Sequence, residues 1–66
     1  MNLIINGTTM EFESNKNIDE ILRELKVESK IFAITLNSEL VKKEDYKNTI
    51  PKDNDRLEFL QFMGGG

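Results

Sequence analysis

Between Ile18 and Leu25 the apolar residues Ile18, Ile21, Leu22 and Leu25 fall at i, i+3, i+4 and i+7, the spacing that lines one side of an α-helix. No other stretch of the 66 residues keeps that period. A lone amphipathic helix has no second helix to cover its stripe, so the flanking segments must cover it. Those segments alternate with the two-residue period of strands. The chain is thereby restricted to a sheet with one helix laid across it.

Leu3 and Ile5 precede Asn6-Gly7, and Met10 and Phe12 follow, alternating with Thr9, Glu11 and Glu13. Tight hairpin turns demand positive φ, which Asn and Gly tolerate, so Asn6-Gly7 or Gly7-Thr8 is the predicted turn. Leu3, Ile5, Met10 and Phe12 then share the core face, and Ile4 looks the other way. Asn17 is the expected N-cap of the helix, with Glu20 as its capping-box partner and Asp19 paired to Arg23 at i+4. The helix should end between Lys26 and Ser29, where no glycine marks the stop and Val27 can still pack inward.

Phe32, Ile34 and Leu36 alternate with Ala33 and Thr35, which predicts a third strand with the first three residues on the core. Asn37-Ser38 turns the chain into a short strand at Leu40-Val41. A helical turn between Lys43 and Lys47 is anchored by Tyr46, and the turn cluster Lys52-Asp53-Asn54-Asp55 leads into a closing strand. In that strand Leu57 and Phe59 are expected to face the helix, whereas Glu58, Leu60 and Phe62 face away on the side of Ile4 and Ala33. The resulting α+β pattern matches the β-grasp arrangement, a mixed four- to five-stranded sheet with one helix packed across it. Its first and last strands lie parallel at the centre. Residues 1–62 read as a single domain and residues 63–66 as a flexible glycine-rich C-terminal tail.

Composition narrows the chemistry. Cysteine and histidine are both absent, so thiolate nucleophiles, disulfides, imidazole or thiolate metal sites and the usual neutral-pH proton shuttle are unavailable. No catalytic residue, metal site or bound cofactor is expected, and the chain does not read as an enzyme. Nine basic against twelve acidic residues give a net charge of −3, which argues against nucleic acid or anionic membranes as partners. With no basic stretch leading a long apolar segment near the N-terminus, a cytoplasmic location and a monomeric free state are expected. Glu20 with Glu24, and Asp53 with Asp55, read as solvated surface rather than acid–base pairs.

Three of the four glycines are Gly64, Gly65 and Gly66. Nothing follows them that they could turn the chain towards. At about 3.3 to 3.6 Å per residue they reach roughly 10 Å beyond the last strand, and lacking Cβ atoms they fit a narrow channel. A terminal carboxylate is ionised at neutral pH and can attack the α-phosphorus of ATP when a partner supplies Mg²⁺ and cationic groups. Gly66 is therefore the candidate loaded residue, with Gly64 and Gly65 threading a partner's active site. Ile4, Leu60, Phe62 and Met63 are the candidate docking residues beside it. A frayed end without function is the plain alternative.

The chain resembles the ThiS-type sulfur carriers of thiamine biosynthesis, within the ThiS/MoaD ubiquitin-like group. The likeness runs along its whole length. It is carried by Asn6-Gly7, by Ile18-Asp19-Glu20-Ile21-Leu22, by Leu36-Asn37-Ser38-Glu39-Leu40-Val41, by the Lys52-Asp53-Asn54-Asp55 turn, and by Phe62-Met63-Gly64-Gly65-Gly66. Where that family commonly has Asn-Gly after the third strand, this chain has Asn37-Ser38. The resemblance implies adenylation of Gly66 by a ThiF-type adenylyltransferase using ATP and Mg²⁺. It further implies thiocarboxylate formation with sulfur from a donor such as a cysteine desulfurase, and transfer to a ThiG-type thiazole synthase. A MoaD-type carrier for molybdopterin synthesis and a ubiquitin-like modifier or binding module are the alternatives.

Overall fold

A computed structural model describes residues 1–61. Its strands are β1 (Asn2–Ile5), β2 (Thr8–Glu11), β3 (Ile31–Leu36), β4 (Glu39–Val41) and β5 (Arg56–Gln61), with helix α1 (Ile18–Leu25) after β2 and a 3-10 helix (Lys43–Asn48) after β4. They form one mixed sheet in the order β2-β1-β5-β3-β4. β1 runs parallel to β5 through Ile4↔Arg56 and Ile5↔Leu57, and the other pairings are antiparallel. This is the β-grasp fold, with β5 as the middle strand.

Both hairpins close on asparagine. Asn6 and Gly7 have φ of 48° and 84°, so the first turn takes the two consecutive left-handed residues that match strand twist. Asn37 and Ser38 have φ of 49° and 74°, so Ser38 occupies a position where glycine would be less strained. Each asparagine also bonds to β5, from opposite edges. The Asn6 N–H donates to the Leu57 carbonyl at 3.0 Å, while its Oδ1 accepts from the Phe59 N–H at 2.8 Å and its Nδ2 donates to the Phe59 carbonyl at 3.5 Å. The Asn37 N–H donates to the Arg56 carbonyl at 2.8 Å, and its Oδ1 accepts from the Arg56 N–H at 2.9 Å. Its Nδ2 donates to Asp55 Oδ1 at 3.0 Å.

Helix α1 starts as its sequence predicts. Asn17 Oδ1 accepts from the Glu20 N–H at 2.8 Å, Glu20 Oε1 accepts from the Asn17 N–H at 2.9 Å, and Arg23 pairs with Asp19 at 2.8 Å. The end is set by Lys26, which takes the left-handed conformation at φ 58° although it is not glycine. The Val27 N–H then returns to the Leu22 carbonyl at 3.1 Å, and Val27 packs against the core.

The helix lies on the face formed by Leu3, Ile5, Ile34, Leu57 and Phe59, all buried together with Ile18, Ile21 and Leu22. Tyr46, from the 3-10 helix, joins this core. One expected core residue is displaced. Phe32 is 45% exposed, and Ile31 takes the buried position instead. The reason is a β-bulge: Ile31 stands opposite Gln61 and Ala33 opposite Leu60, so β3 advances two residues while β5 advances one. The shift ends before Ile34, which is buried as predicted, and Leu36 packs partly against the core.

The carboxylates expected at the surface stand there, Glu20, Glu24 and Asp53 exposed and Asp55 partly buried, and they also tie down loops. Asp53 Oδ1 accepts from the Asn2 N–H at 2.6 Å, and Asp55 Oδ2 accepts from the Lys52 N–H at 2.8 Å. Glu24 binds the Lys16 ammonium. The turn before β5 is thus fastened both to itself and to the start of β1.

Candidate functional site

Alternation along the strands sends one set of side chains into the core and the other to the opposite face of the sheet. The helix covers the first face, and the exposed large apolar side chains Phe32, Leu40 and Leu60 stand on the second. Leu60 stands there, 43% exposed, directly across from Ala33, with Phe32 from the bulge in the adjoining position of β3. Leu40 of β4 lies opposite Thr35 and is 68% exposed. Ile4, half-buried, shares the face at the level of Arg56.

Ile4 and Leu60 therefore occupy one face but do not touch as neighbours in a pair. Arg56 precedes Leu60 by four positions, a separation of roughly 13 Å at about 3.3 Å per residue along a strand. The two ends of the face differ in character. Around Leu60 it is apolar, while around Ile4 it is mixed, with Arg56, Ile4 and Glu58 lining a hollow of about 250 Å³ between the two hairpin turns. Glu58 also meets the Thr35 hydroxyl at 3.2 Å. Phe62, Met63, Gly64, Gly65 and Gly66 lie outside the described residues.

Sequence reasoning overlooked two members of this face. Leu40 was legible, because a two-residue turn at Asn37-Ser38 puts Glu39 opposite Leu36 and hence Leu40 opposite Thr35, on the outer side. Phe32 was not, because Ile31-Phe32-Ala33-Ile34 is continuously apolar and gives no parity from which the bulge could be read.

The groups with shifted acidity belong to the helix side. The Tyr46 phenol is raised above its ordinary value of 10.0 by burial, and the Lys16 ammonium above 10.5, chiefly by its hydrogen bond to Glu24. Among the described residues no three carboxylates gather into a group that could hold a metal ion. No described helix is long and apolar enough to cross a membrane.

Taken together, the helix-backed sheet with β5 at its centre and an apolar outer face beside that strand's outgoing end defines a ubiquitin-like β-grasp protein. The profile of the ThiS family matches residues 3–66. The crystal structure of a thiamine biosynthesis protein (ThiS) from Geobacter metallireducens superposes with a TM-score of 0.80 at 38% identity, covering all of both chains. The sulfur carrier protein ThiS of Bacillus subtilis is 31% identical over 65 residues, which is 97% of this chain and 98% of that protein. A thiazole synthase from Paramagnetospirillum magneticum is 38% identical over 66 residues, all of this chain and 20% of that protein, so the chain spans about a fifth of that relative's length. The chain belongs to the ThiS family.

Proposed function

We propose that the chain is a sulfur carrier that acts as a substrate for other enzymes and donates sulfur to the thiazole moiety of thiamine. The observation that carries this reading is the match to the ThiS family through residue 66, joined to near end-to-end likeness with a sulfur carrier protein ThiS. In the reaction so proposed, the Gly66 carboxylate attacks the α-phosphorus of ATP and releases pyrophosphate, forming an acyl-adenylate on a ThiF-type adenylyltransferase that holds the Mg²⁺. The terminal sulfur of a donor persulfide, such as that of a cysteine desulfurase, then displaces AMP to give an acyl disulfide. A second thiol attacks the donor-side sulfur, so that the S–S bond breaks, the Gly66 thiocarboxylate leaves and a disulfide remains on the donor side.

Thiazole synthase is the recipient in this proposal. Support comes from the thiazole synthase that includes a segment similar to this entire chain. The chain's own contribution is presentation. Leu60, with Phe62, Met63 and Ile4, docks on the partner, and Gly64 and Gly65 thread the tail to the reacting phosphate. Having neither cysteine nor histidine, the chain brings no side-chain thiol to compete for the sulfur it carries.

Intact mass spectrometry tests the reading. Incubation with ATP, a sulfur donor and the cognate adenylyltransferase should add the mass of one oxygen-to-sulfur exchange, located at Gly66. Gly65→Ala should slow that loading while leaving the melting temperature nearly unchanged. Modification at another residue, or a mature chain that continues past Gly66, would defeat the proposal. Lysine-linked adducts that survive thiol treatment would point instead to a protein modifier.

A further inference from the structure

β1 stops pairing with β5 at Ile5↔Leu57, yet β5 continues to Gln61. A middle strand that outruns its neighbour leaves the next inward-pointing peptide group without a backbone partner, a costly state for a group that is partly buried. Here the group is that of Phe59, itself 93% buried by its 7% exposure. The carboxamide of Asn6 takes the missing strand's place: one oxygen for the Phe59 N–H at 2.8 Å and one N–H for the Phe59 carbonyl at 3.5 Å. A carboxamide on a single methylene reproduces the donor and acceptor of a peptide bond. The left-handed backbone of Asn6, at φ 48°, brings it there. Among side chains that supply both functions, asparagine is the one that also accepts this conformation readily.

The opposite edge of β5 offers a contrast within the same molecule. Asn37 makes a related clasp on Arg56, at the strand's beginning, its Oδ1 accepting from the Arg56 N–H while its backbone N–H donates to the Arg56 carbonyl. Asn37 therefore fixes where β5 enters the sheet, and Asn6 fixes the half from which the chain proceeds towards Gly66. On the β3 side, that outgoing half is held across the bulge at Ile31/Ala33, an irregular pairing that constrains direction less than a regular ladder would.

We propose that Asn6 is a positioning residue for the loading reaction: by clamping the Phe59 peptide it holds the outgoing half of β5 in the direction that delivers the C-terminal residues to the partner's reacting phosphate. This rests on the sulfur-carrier reading above. The Asn6 carboxamide is engaged with the Phe59 peptide, so losing the clamp should disturb alignment after binding more than binding itself.

Asn6→Gly separates the clamp from the turn, since glycine accepts positive φ as readily and removes only the side chain. Asn37→Gly is the matched control on the other edge. In Asn6→Gly, hydrogen exchange at the Phe59 amide should accelerate about ten-fold or more, because its opening no longer breaks the clamp. With the cognate adenylyltransferase and ATP, kcat for adenylate formation should fall about ten-fold, with KM for the carrier changed by less than about two-fold. Asn37→Gly should keep kcat near that of the unaltered chain even where its melting temperature falls as far. Wild-type kcat in Asn6→Gly, an equal kcat loss in Asn37→Gly, or unchanged exchange at Phe59 would each overturn the proposal. If the unaltered chain is never adenylated, the sulfur-carrier reading fails and the positioning role falls with it, whereas Phe59 exchange still reports separately whether the clamp exists.

Discussion

The two faces of the sheet are made from alternate residues of the same strands, and they have been put to different uses. On the helix side Leu3, Ile34 and Leu57 are fully buried and their neighbours Ile5 and Phe59 nearly so. On the other side Leu60, Phe32 and Leu40 keep 43%, 45% and 68% of their surface in water. All are large apolar side chains, so hydrophobicity alone does not separate them. Location relative to the helix does, and a one-residue slip of register would exchange the two sets. Isolated exposed apolar residues are ordinary, but Leu60 and Phe32 stand together beside the strand end from which the chain runs to its glycines, where an apolar surface suits the proposed docking of a partner that receives that segment.

The contrast is broken or upheld first by truncating one residue from each face. Ile34→Ala removes a fully buried side chain beneath the helix and should lower stability by about 2–5 kcal/mol, measured by denaturant unfolding, with a corresponding fall in melting temperature. Leu60→Thr introduces a β-branched, strand-compatible side chain and should shift stability by no more than about 1 kcal/mol. Its affinity for the proposed adenylyltransferase partner should weaken by about 1–3 kcal/mol in calorimetric titration. Equal destabilisation by both variants would mean that the outer face is a second core rather than a docking surface.

How far these faces could be read in advance depends on what fixed their register. In β1 the run Leu3-Ile4-Ile5 has no alternation of its own, but the Asn6-Gly7 turn sets its register against the alternating Met10 and Phe12, and Leu57-Glu58-Phe59 alternates in β5, so Leu3, Ile5, Leu57 and Phe59 were placed correctly from pattern. The helix was legible at its start because Asn17 and Glu20 form a reciprocal cap, and vague at its end because Lys26 adopts a conformation usually reserved for glycine. Phe32 was misplaced for a different reason. A bulge shifts parity without leaving a mark in a run of four apolar residues, and the gain from burying Ile31 is a tertiary effect. The outer-face position of Leu60 followed from strand parity. The reach of Asn6 and Asn37 to β5 did not, since turn chemistry specifies their backbone angles and is silent about which strand lies beside their side chains.

The smallest expected effect concerns Tyr46, where core packing and hydrogen bonding diverge. Its ring is buried with the helix-side cluster, but its hydroxyl is enclosed without a hydrogen-bond partner among the described residues. The ring contributes packing, whereas the hydroxyl loses its hydration on folding. Tyr46→Phe should therefore leave stability at neutral pH unchanged or raise it by up to about 1 kcal/mol, opposite in sign to Ile34→Ala within the same core. The pH dependence sharpens the test. Burial raises the folded-state phenol above 10.0, so below that pH both states hold the proton and Tyr46 adds no slope. As pH climbs through the unfolded-state value, the unfolded chain releases its proton first and the native state loses stability relative to it. Unfolding curves of the two proteins should run parallel through neutral pH and diverge above about pH 10, with Tyr46→Phe the more stable. A marked loss of stability in Tyr46→Phe at pH 7 would show that the hydroxyl finds a partner in solution, such as a bound water, and that this part of the helix-side core is not dry.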